Sequence, residues 1–278
     1  MGNMTIIKPA FYCSIQDLGR IYYRHLGVPH SGVMDEVSAG YANDCLENEK
    51  SSAVIEIIAV GGTYIFSEPT FICITGAKTT VKLNSIAIEQ YESIKIQTGD
   101  QLEIGAAVDG NFIYIGIAGG FEVPEVLESR SYFKGITKQQ LTKGDTISYQ
   151  SSEDLKESKI EPQKLIKSSV LKCFPGLEFH LLNRKQQELL LNSSFTISKN
   201  WNRMAFQLNE KIDNLLLQLK SSPVLPGTVQ LTPSGQLIIL MKDAQTTGGY
   251  PRILQLDKAS ISMLSQKRMG TSIDFLIL

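Results

Sequence analysis

Apolar and polar residues alternate with a period of two through much of this chain. Ser93-Ile94-Lys95-Ile96-Gln97, Gln101-Leu102-Glu103-Ile104 and Thr146-Ile147-Ser148-Tyr149 keep the rhythm of a strand with one face in a core and the other in water. Phe71-Ile72-Cys73-Ile74 and Phe112-Ile113-Tyr114-Ile115 are short apolar runs between glycine turns, as expected of strands covered on both faces. Many short strands at regular spacing predict a mainly β protein built from barrels or sandwiches. The helical period is rare. It predicts short helices over Met34 to Leu46, with Asp35 near the start, and over Asn183 to Leu191.

The order of elements repeats. The first half begins with a strand ending in Lys8-Pro9, passes a helix, reaches Gly61-Gly62-Thr63 and an apolar strand, and closes with Thr98-Gly99-Asp100-Gln101-Leu102. The second begins with Val170 to Pro175, passes a helix, reaches Pro226-Gly227-Thr228 and an apolar strand, and closes with Met269-Gly270-Thr271. Two related units are expected. Between them residues 151–169 are polar and rich in Lys, Glu and Ser, so the linker is placed there, dividing the chain into 1–150 and 170–278.

Composition narrows the partners. With 278 residues, 42% hydrophobic, 20% charged and a net charge of −1, the chain suits two compact soluble domains. Near-neutral charge without a basic run argues against nucleic acid or an anionic membrane, and for a small organic substrate or another protein. No apolar run approaches the roughly 18 residues of a membrane span, and no signal core follows the N-terminus, so a cytoplasmic location is expected. Cys13, Cys45, Cys73 and Cys173 are far apart with no histidine at ligand spacing; they are expected to be reduced structural thiols, and no metal is predicted.

Two stretches carry candidate chemistry. After the run Leu237-Ile238-Ile239-Leu240-Met241 comes Gln245-Thr246-Thr247-Gly248-Gly249-Tyr250-Pro251-Arg252, a strand entering a polar, glycine-rich turn. Paired glycines let a ligand approach the backbone, successive N–H groups can cradle an anion, and Arg252 offers a planar fork for carboxylate or phosphate. The same residues also suit a hairpin turn that needs glycine for its dihedrals. The other stretch runs from Gln16-Asp17-Leu18-Gly19-Arg20 through Arg24-His25 to His30-Ser31-Gly32-Val33-Met34-Asp35, a dense set of ionisable groups on a turn-rich segment. A surface loop with ion pairs and a helix cap at Asp35 would also explain it.

Three familiar motifs are incomplete. Thr75-Gly76-Ala77-Lys78-Thr79 lacks the glycine directly before lysine that a phosphate-binding loop requires. Met241-Lys242 lacks the flanks of a biotinylated lysine, and no Gly-x-Ser-x-Gly elbow marks an acyl-enzyme serine.

The ordered strings Gln16 to Arg20, Arg24 to Asp35, Val54-Ile55-Glu56, Gly61-Gly62-Thr63, Thr75-Gly76-Ala77, Ala118-Gly119-Gly120, Ser129-Arg130-Ser131, Val224 to Gln230 and Gln245 to Arg252 resemble the biotin-dependent carboxyltransferase-like family. That family contains the C subunit of 5-oxoprolinase, allophanate hydrolase subunit 2 and the KipA-type proteins, and the resemblance runs from the first strand nearly to the last. It implies two cyclophilin-like β-barrel domains with a few short helices, and a role as one subunit of a larger ATP-consuming enzyme. The chain departs from the family pattern at Trp201-Asn202-Arg203-Met204-Ala205, where relatives have small outer residues, at Ser221-Ser222-Pro223, where a carboxylate is lost, and at Tyr132 to Lys138, which is shortened.

What the resemblance implies first is the C subunit of a 5-oxoprolinase, opening 5-oxoproline to L-glutamate with the A subunit and a KipI-like B subunit. ATP is used by the complex, no biotin is attached to this chain, and the substrate is a small amide or carboxylate. Arg20, Arg203, Arg252 and the Gly248-Gly249 turn are the expected donors to developing negative charge. Asp17, His25 and Asp35 are the candidate acids and bases, while Glu56, Gln245, Thr246 and Tyr250 complete the substrate-binding set. The same residues would serve a biotin-dependent carboxyltransferase of urea or allophanate metabolism. A KipA-type regulator that binds a kinase inhibitor, without turnover, is the alternative from a different class.

Overall fold

The computed structural model describes residues 1–137, 140–155, 157–161 and 168–278. Two compact units make up the chain. The first comprises Met1–Gly19 and Ser31–Gln163, the second Arg20–His30 and Lys164–Leu278. Residues 20–30, which lie in the first half of the sequence, therefore belong to the second unit.

In the first unit the strands are β1 (Gly2–Lys8), β2 (Tyr12–Gln16), β3 (Val54–Ile58), β4 (Thr63–Phe66), β5 (Thr70–Lys78), β6 (Val81–Leu83), β7 (Ile86–Ile88), β8 (Ile94–Ile96), β9 (Gln101–Ile104), β10 (Asp109–Ile117), β11 (Phe121–Glu122) and β12 (Thr146–Tyr149). They form a seven-stranded sheet, β11-β12-β1-β4-β9-β6-β7, and a five-stranded sheet, β2-β3-β10-β5-β8. Alternate residues of both sheets, among them Met4, Ile6, Tyr64, Phe66, Ile55, Ile57, Ile72, Ile74, Ile113 and Ile115, meet in one core. The all-apolar runs behave as their pattern requires. β5 and β10 are buried along almost their whole length, and helix α1 (Glu36–Cys45) packs on both.

The second unit holds β13 (Val170–Pro175), β14 (Phe195–Trp201), β15 (Ala205–Lys211), β16 (Ser222–Pro223), β17 (Thr228–Leu231), β18 (Gln236–Leu240), β19 (Thr247–Gly248), β20 (Arg252–Leu256) and β21 (Ser272–Ile277), with helices α2 (Arg184–Asn192) and α3 (Lys258–Ser265). Seven strands close a barrel in the order β13-β20-β17-β18-β15-β14-β21, and closure comes through a parallel pair that sets Val170 against Asp274. β16 and β19 form a separate two-residue ladder, Ser222 against Gly248 and Pro223 against Thr247. Trp201, the chain's one tryptophan, lies with its ring 5.3 Å from that of Phe206.

Helix starts follow local side-chain chemistry. Asp35 caps α1 by accepting from Val37 N and Ser38 N, each at 3.1 Å. Asn183 and Gln186 form a reciprocal capping box at α2, and Asp257 caps α3 through Ser260 N at 2.7 Å. The expected linker 151–169 falls partly outside the described residues. Residues 151–155 and 157–160 are bonded to the first unit, through Ser152 N to Pro69 O at 3.0 Å, Ser158 N to Ser93 Oγ at 2.8 Å and Ile160 N to Tyr91 O at 2.9 Å, while Ser169 O accepts Asp274 N of the second unit at 3.0 Å. All four cysteines are buried and unbridged.

Candidate functional site

The expected site residues divide between the units. Asp17, Asp35 and Glu56 stand on the first; Arg20, His25, Arg203, Gln245, Thr246, Gly248, Gly249, Tyr250 and Arg252 stand on the second.

On the first unit, the turn after β2 folds back through Gly32. That residue has φ +89°, and a Cβ there would stand 2.9 Å from the Leu18 carbonyl carbon, so only glycine fits. Val33 N donates to Asp17 O and Gly32 N to Gln16 Oε1, which brings Met34 and Asp35 alongside β3. There Glu56, fully buried in β3, receives Met34 N at 2.6 Å and the Tyr114 hydroxyl at 2.9 Å on the same oxygen. The Tyr114 hydroxyl in turn accepts Asp35 N at 2.8 Å. Burial first, then the nearby charges of Glu56 and Asp35, pushes the Tyr114 phenol well above its ordinary pKa, so it stays a neutral donor.

The geometry reassigns Asp17. Its Oδ1 accepts from Gly19 N at 2.8 Å and from the Ser129 and Ser131 hydroxyls, each at 2.6 Å, while Oδ2 accepts Arg130 N at 2.6 Å. Three donors crowd Oδ1 and one holds Oδ2, so most of the acceptor capacity of the carboxylate is spent within the fold. Asp17 fastens the Ser129-Arg130-Ser131 loop to the end of β2; it is not poised to take a substrate proton. Asp35 is likewise committed, to the cap of α1 and to the Ser38 hydroxyl at 2.6 Å.

On the second unit, Arg20 N bonds His30 O at 2.7 Å and closes the base of the 20–30 segment, which carries the 3-10 turn Ile21–Leu26. The Arg20 side chain is 1% exposed. His25 is exposed, and its Nδ1 donates to the Tyr22 carbonyl of its own turn at 3.0 Å. The acid–base trio expected from sequence is thus split between units, with two of its members already used by the scaffold.

Two of the arginines expected to hold an anion already hold one. Arg203 makes a two-toothed pair with Asp243, Nε to Oδ2 at 2.8 Å and Nη2 to Oδ1 at 2.9 Å. Arg252 does the same with Glu178, Nε to Oε2 at 2.9 Å and Nη2 to Oε1 at 2.7 Å, and adds Nη1 to Pro223 O at 2.9 Å. The Arg252 hydrogen bond draws the Glu178 carboxyl below its ordinary pKa, and the pair raises that of Arg252. The fork read from sequence as a ligand receptor is a clamp between β20, the Glu178 turn and β16.

The glycine-rich loop itself is as polar as expected. Val224 N donates to Thr246 O at 3.1 Å, and Leu219 N to Gly249 O at 2.9 Å. Groups from outside the loop, which the sequence reading did not select, also reach it. Arg24 reaches the Val224 and Thr246 carbonyls through Nη2, and buried Gln230 points its carboxamide nitrogen at Tyr250 O, 3.4 Å away. Arg24 sat within a quoted string, but nothing in its spacing tied it to residues two hundred positions on. Glu178, Asp243, Tyr114 and the serines around Arg130 were missed as working residues for the same reason.

Known proteins place these features in context. A family model described as carboxyltransferase domain, subdomain A and B, matches residues 26–277. The C subunit of the Haemophilus influenzae 5-oxoprolinase is 32% identical over 269 residues, covering 94% of this chain and 87% of that protein. Its counterpart in Escherichia coli is 31% identical over 282 residues, covering 98% and 90%. The solved urea amidolyase of K. lactis matches 99% of this chain with a TM-score of 0.89 and 26% identity, and the present chain spans 19% of that one.

Proposed function

The chain belongs to the carboxyltransferase-domain family, subdomains A and B, and on that premise we propose that it is the C subunit of an ATP-dependent 5-oxoprolinase, opening 5-oxoproline to L-glutamate with the A and B subunits. The observation that carries this reading is the match to two proteins of that name over nearly the whole of both chains.

The chemistry suits the residues. A five-membered lactam is a poor electrophile, and activating its oxygen by phosphoryl transfer builds negative charge that needs cationic and N–H donors. The second unit supplies Arg24, the Gln230 and Gln245 carboxamides and the Thr246 to Tyr250 backbone.

ATP finds no phosphate cradle at Thr75-Gly76-Ala77-Lys78. Those residues run within β5, and Gly76 N is committed to the Tyr91 hydroxyl at 3.0 Å. We assign ATP use to the assembled complex rather than to this segment. Lys242 is 5% exposed, which argues against its carrying biotin. Among the described residues no helix is long and apolar enough to cross a membrane.

Glutamate release from 5-oxoproline and ATP, with this chain mixed with its A and B subunits, tests the reading. Turnover that requires this chain supports it. An assembled complex that releases no glutamate overturns it, and transfer of the carboxyl group of carboxybiotin to urea, freeing biotin on its carrier, would then favour the urea amidolyase side of the family.

A further inference from the structure

Three guanidinium groups of the second unit differ in how their charge is met. Arg203 and Arg252 each hold a carboxylate with two nitrogens. Arg24 holds none among the described residues. Its Nη2 donates to the carbonyls of Val224 and Thr246, and its Nη1 is buried without a hydrogen-bond partner. Burial is the cause that lowers its pKa, with no neighbouring acid to offset it. A guanidinium nevertheless remains charged at any working pH. A buried charged donor without an acceptor is costly, and an oxygen supplied from outside the chain would relieve it.

The surroundings specify what that oxygen belongs to. Gln230 is 1% exposed, and among the described residues its carboxamide nitrogen donates to Tyr250 O at 3.4 Å and to no other acceptor. A Cβ at Gly248 would stand 2.8 Å from Gln230 Nε2 and 3.6 Å from Gln245 Nε2, so glycine keeps open a spot faced by two carboxamides. Thr246, whose carbonyl holds Arg24, belongs to the same loop. The strand Thr247–Gly248 beside it is tied to Ser222–Pro223 by a two-residue ladder, and Val224 N to Thr246 O and Leu219 N to Gly249 O hold the loop on either side.

We propose that Arg24, acting with the Gln230 and Gln245 carboxamides that face Gly248 on the loop it holds, is the receptor for the carboxylate of the amide substrate, a task that Arg203 and Arg252 cannot perform because Asp243 and Glu178 occupy them. This deepens the 5-oxoprolinase reading and rests on it for the identity of the substrate. One cation and two amide donors match a planar carboxylate next to a ring amide, with the charge on Arg24 and the second oxygen on the carboxamides. Arg24 is a binding residue here, and Gln230 and Gln245 set its direction of approach.

The test compares equilibrium binding of 5-oxoproline and of 2-pyrrolidinone, the same ring without the carboxylate, to the full chain assembled with its partner subunits. Wild-type protein is expected to prefer 5-oxoproline. Arg24→Gln is expected to weaken 5-oxoproline by about 10- to 100-fold, to leave 2-pyrrolidinone unchanged and to raise KM far more than it lowers kcat. Arg24→Lys, which keeps the charge but not the fork, is expected to fall between. An unchanged preference in Arg24→Gln, or equal loss of both ligands in a variant whose thermal unfolding is unaltered, overturns the assignment. If the wild type fails to turn over 5-oxoproline, the functional reading falls separately. Thermal shifts of wild type and Arg24→Gln with glutarate and with inorganic phosphate then decide the receptor. Arg24-dependent stabilisation by glutarate supports a carboxylate site for another substrate, whereas dependence on phosphate alone, or on neither, overturns it.

Discussion

Replacing Arg252 with alanine removes three side-chain hydrogen bonds at once, two to Glu178 and one to the Pro223 carbonyl. The pair is largely out of water, with the arginine and glutamate side chains 14% and 11% exposed. Breaking one partner of a buried pair typically costs about 3–5 kcal/mol, because the other charge is left desolvated. Here Arg252 N still donates to Glu178 Oε2 at 2.9 Å in the variant, so the lower end, about 3 kcal/mol, is expected. Glu178→Ala should cost a similar amount, since it strands the guanidinium. If the two act as one clamp, the double variant should lose about 3–4 kcal/mol rather than the sum, a coupling of about 2–3 kcal/mol. Trp201 is the chain's one tryptophan and lies in the second unit, so its fluorescence during urea unfolding reports on the unit that carries the clamp. Arg252→Ala unfolding within about 0.5 kcal/mol of wild type while losing substrate binding would refute this reasoning and return Arg252 to the ligand.

Acid should expose the same clamp. Its folded carboxyl titrates below the unfolded value of about 4.3, so the stability it adds is complete above that pH and is lost as pH falls through the folded pKa. Arg252→Ala should flatten that part of the stability profile between about pH 5 and 2; an identical acid limb in both proteins would count against it. Asp17→Ala leaves the donors of Gly19, Ser129, Arg130 and Ser131 without their acceptor, and a loss of about 2–4 kcal/mol is expected, with amide exchange at Gly19 and Arg130 accelerated. Unchanged exchange there would show that the loop is held by something else. Gly76→Ala places a Cβ 2.3 Å from the Phe112 carbonyl oxygen at φ +89°, and a cost of about 3–5 kcal/mol to the first unit is expected from combined clash and backbone strain; a stable, soluble variant would contradict the packing described.

Alternation along Thr146 to Tyr149 and the all-apolar runs in β5 and β10 determined the mainly β class, because a strand's period of two records directly which side chains face the core. The cap at Asp35 was also legible, since it acts within three residues. α3 was not, because Lys258-Ala259-Ser260-Ile261-Ser262-Met263-Leu264-Ser265 is buried on most of its surface and shows no polar stripe to set the helical period. The glycine-rich loop was recognisable as a place where a ligand could approach, for glycine's geometry is a local property. Which arginine serves that place was a tertiary decision. Arg24, Arg203 and Arg252 are the same residue type in equally polar stretches, and what separates them is that Asp243 and Glu178, 40 and 74 positions away along the chain, close on two of them and not on the third. Charge pairing depends on distance in space, falling within a few ångströms from dominant to negligible, and a sequence carries no record of that distance until the barrel closes.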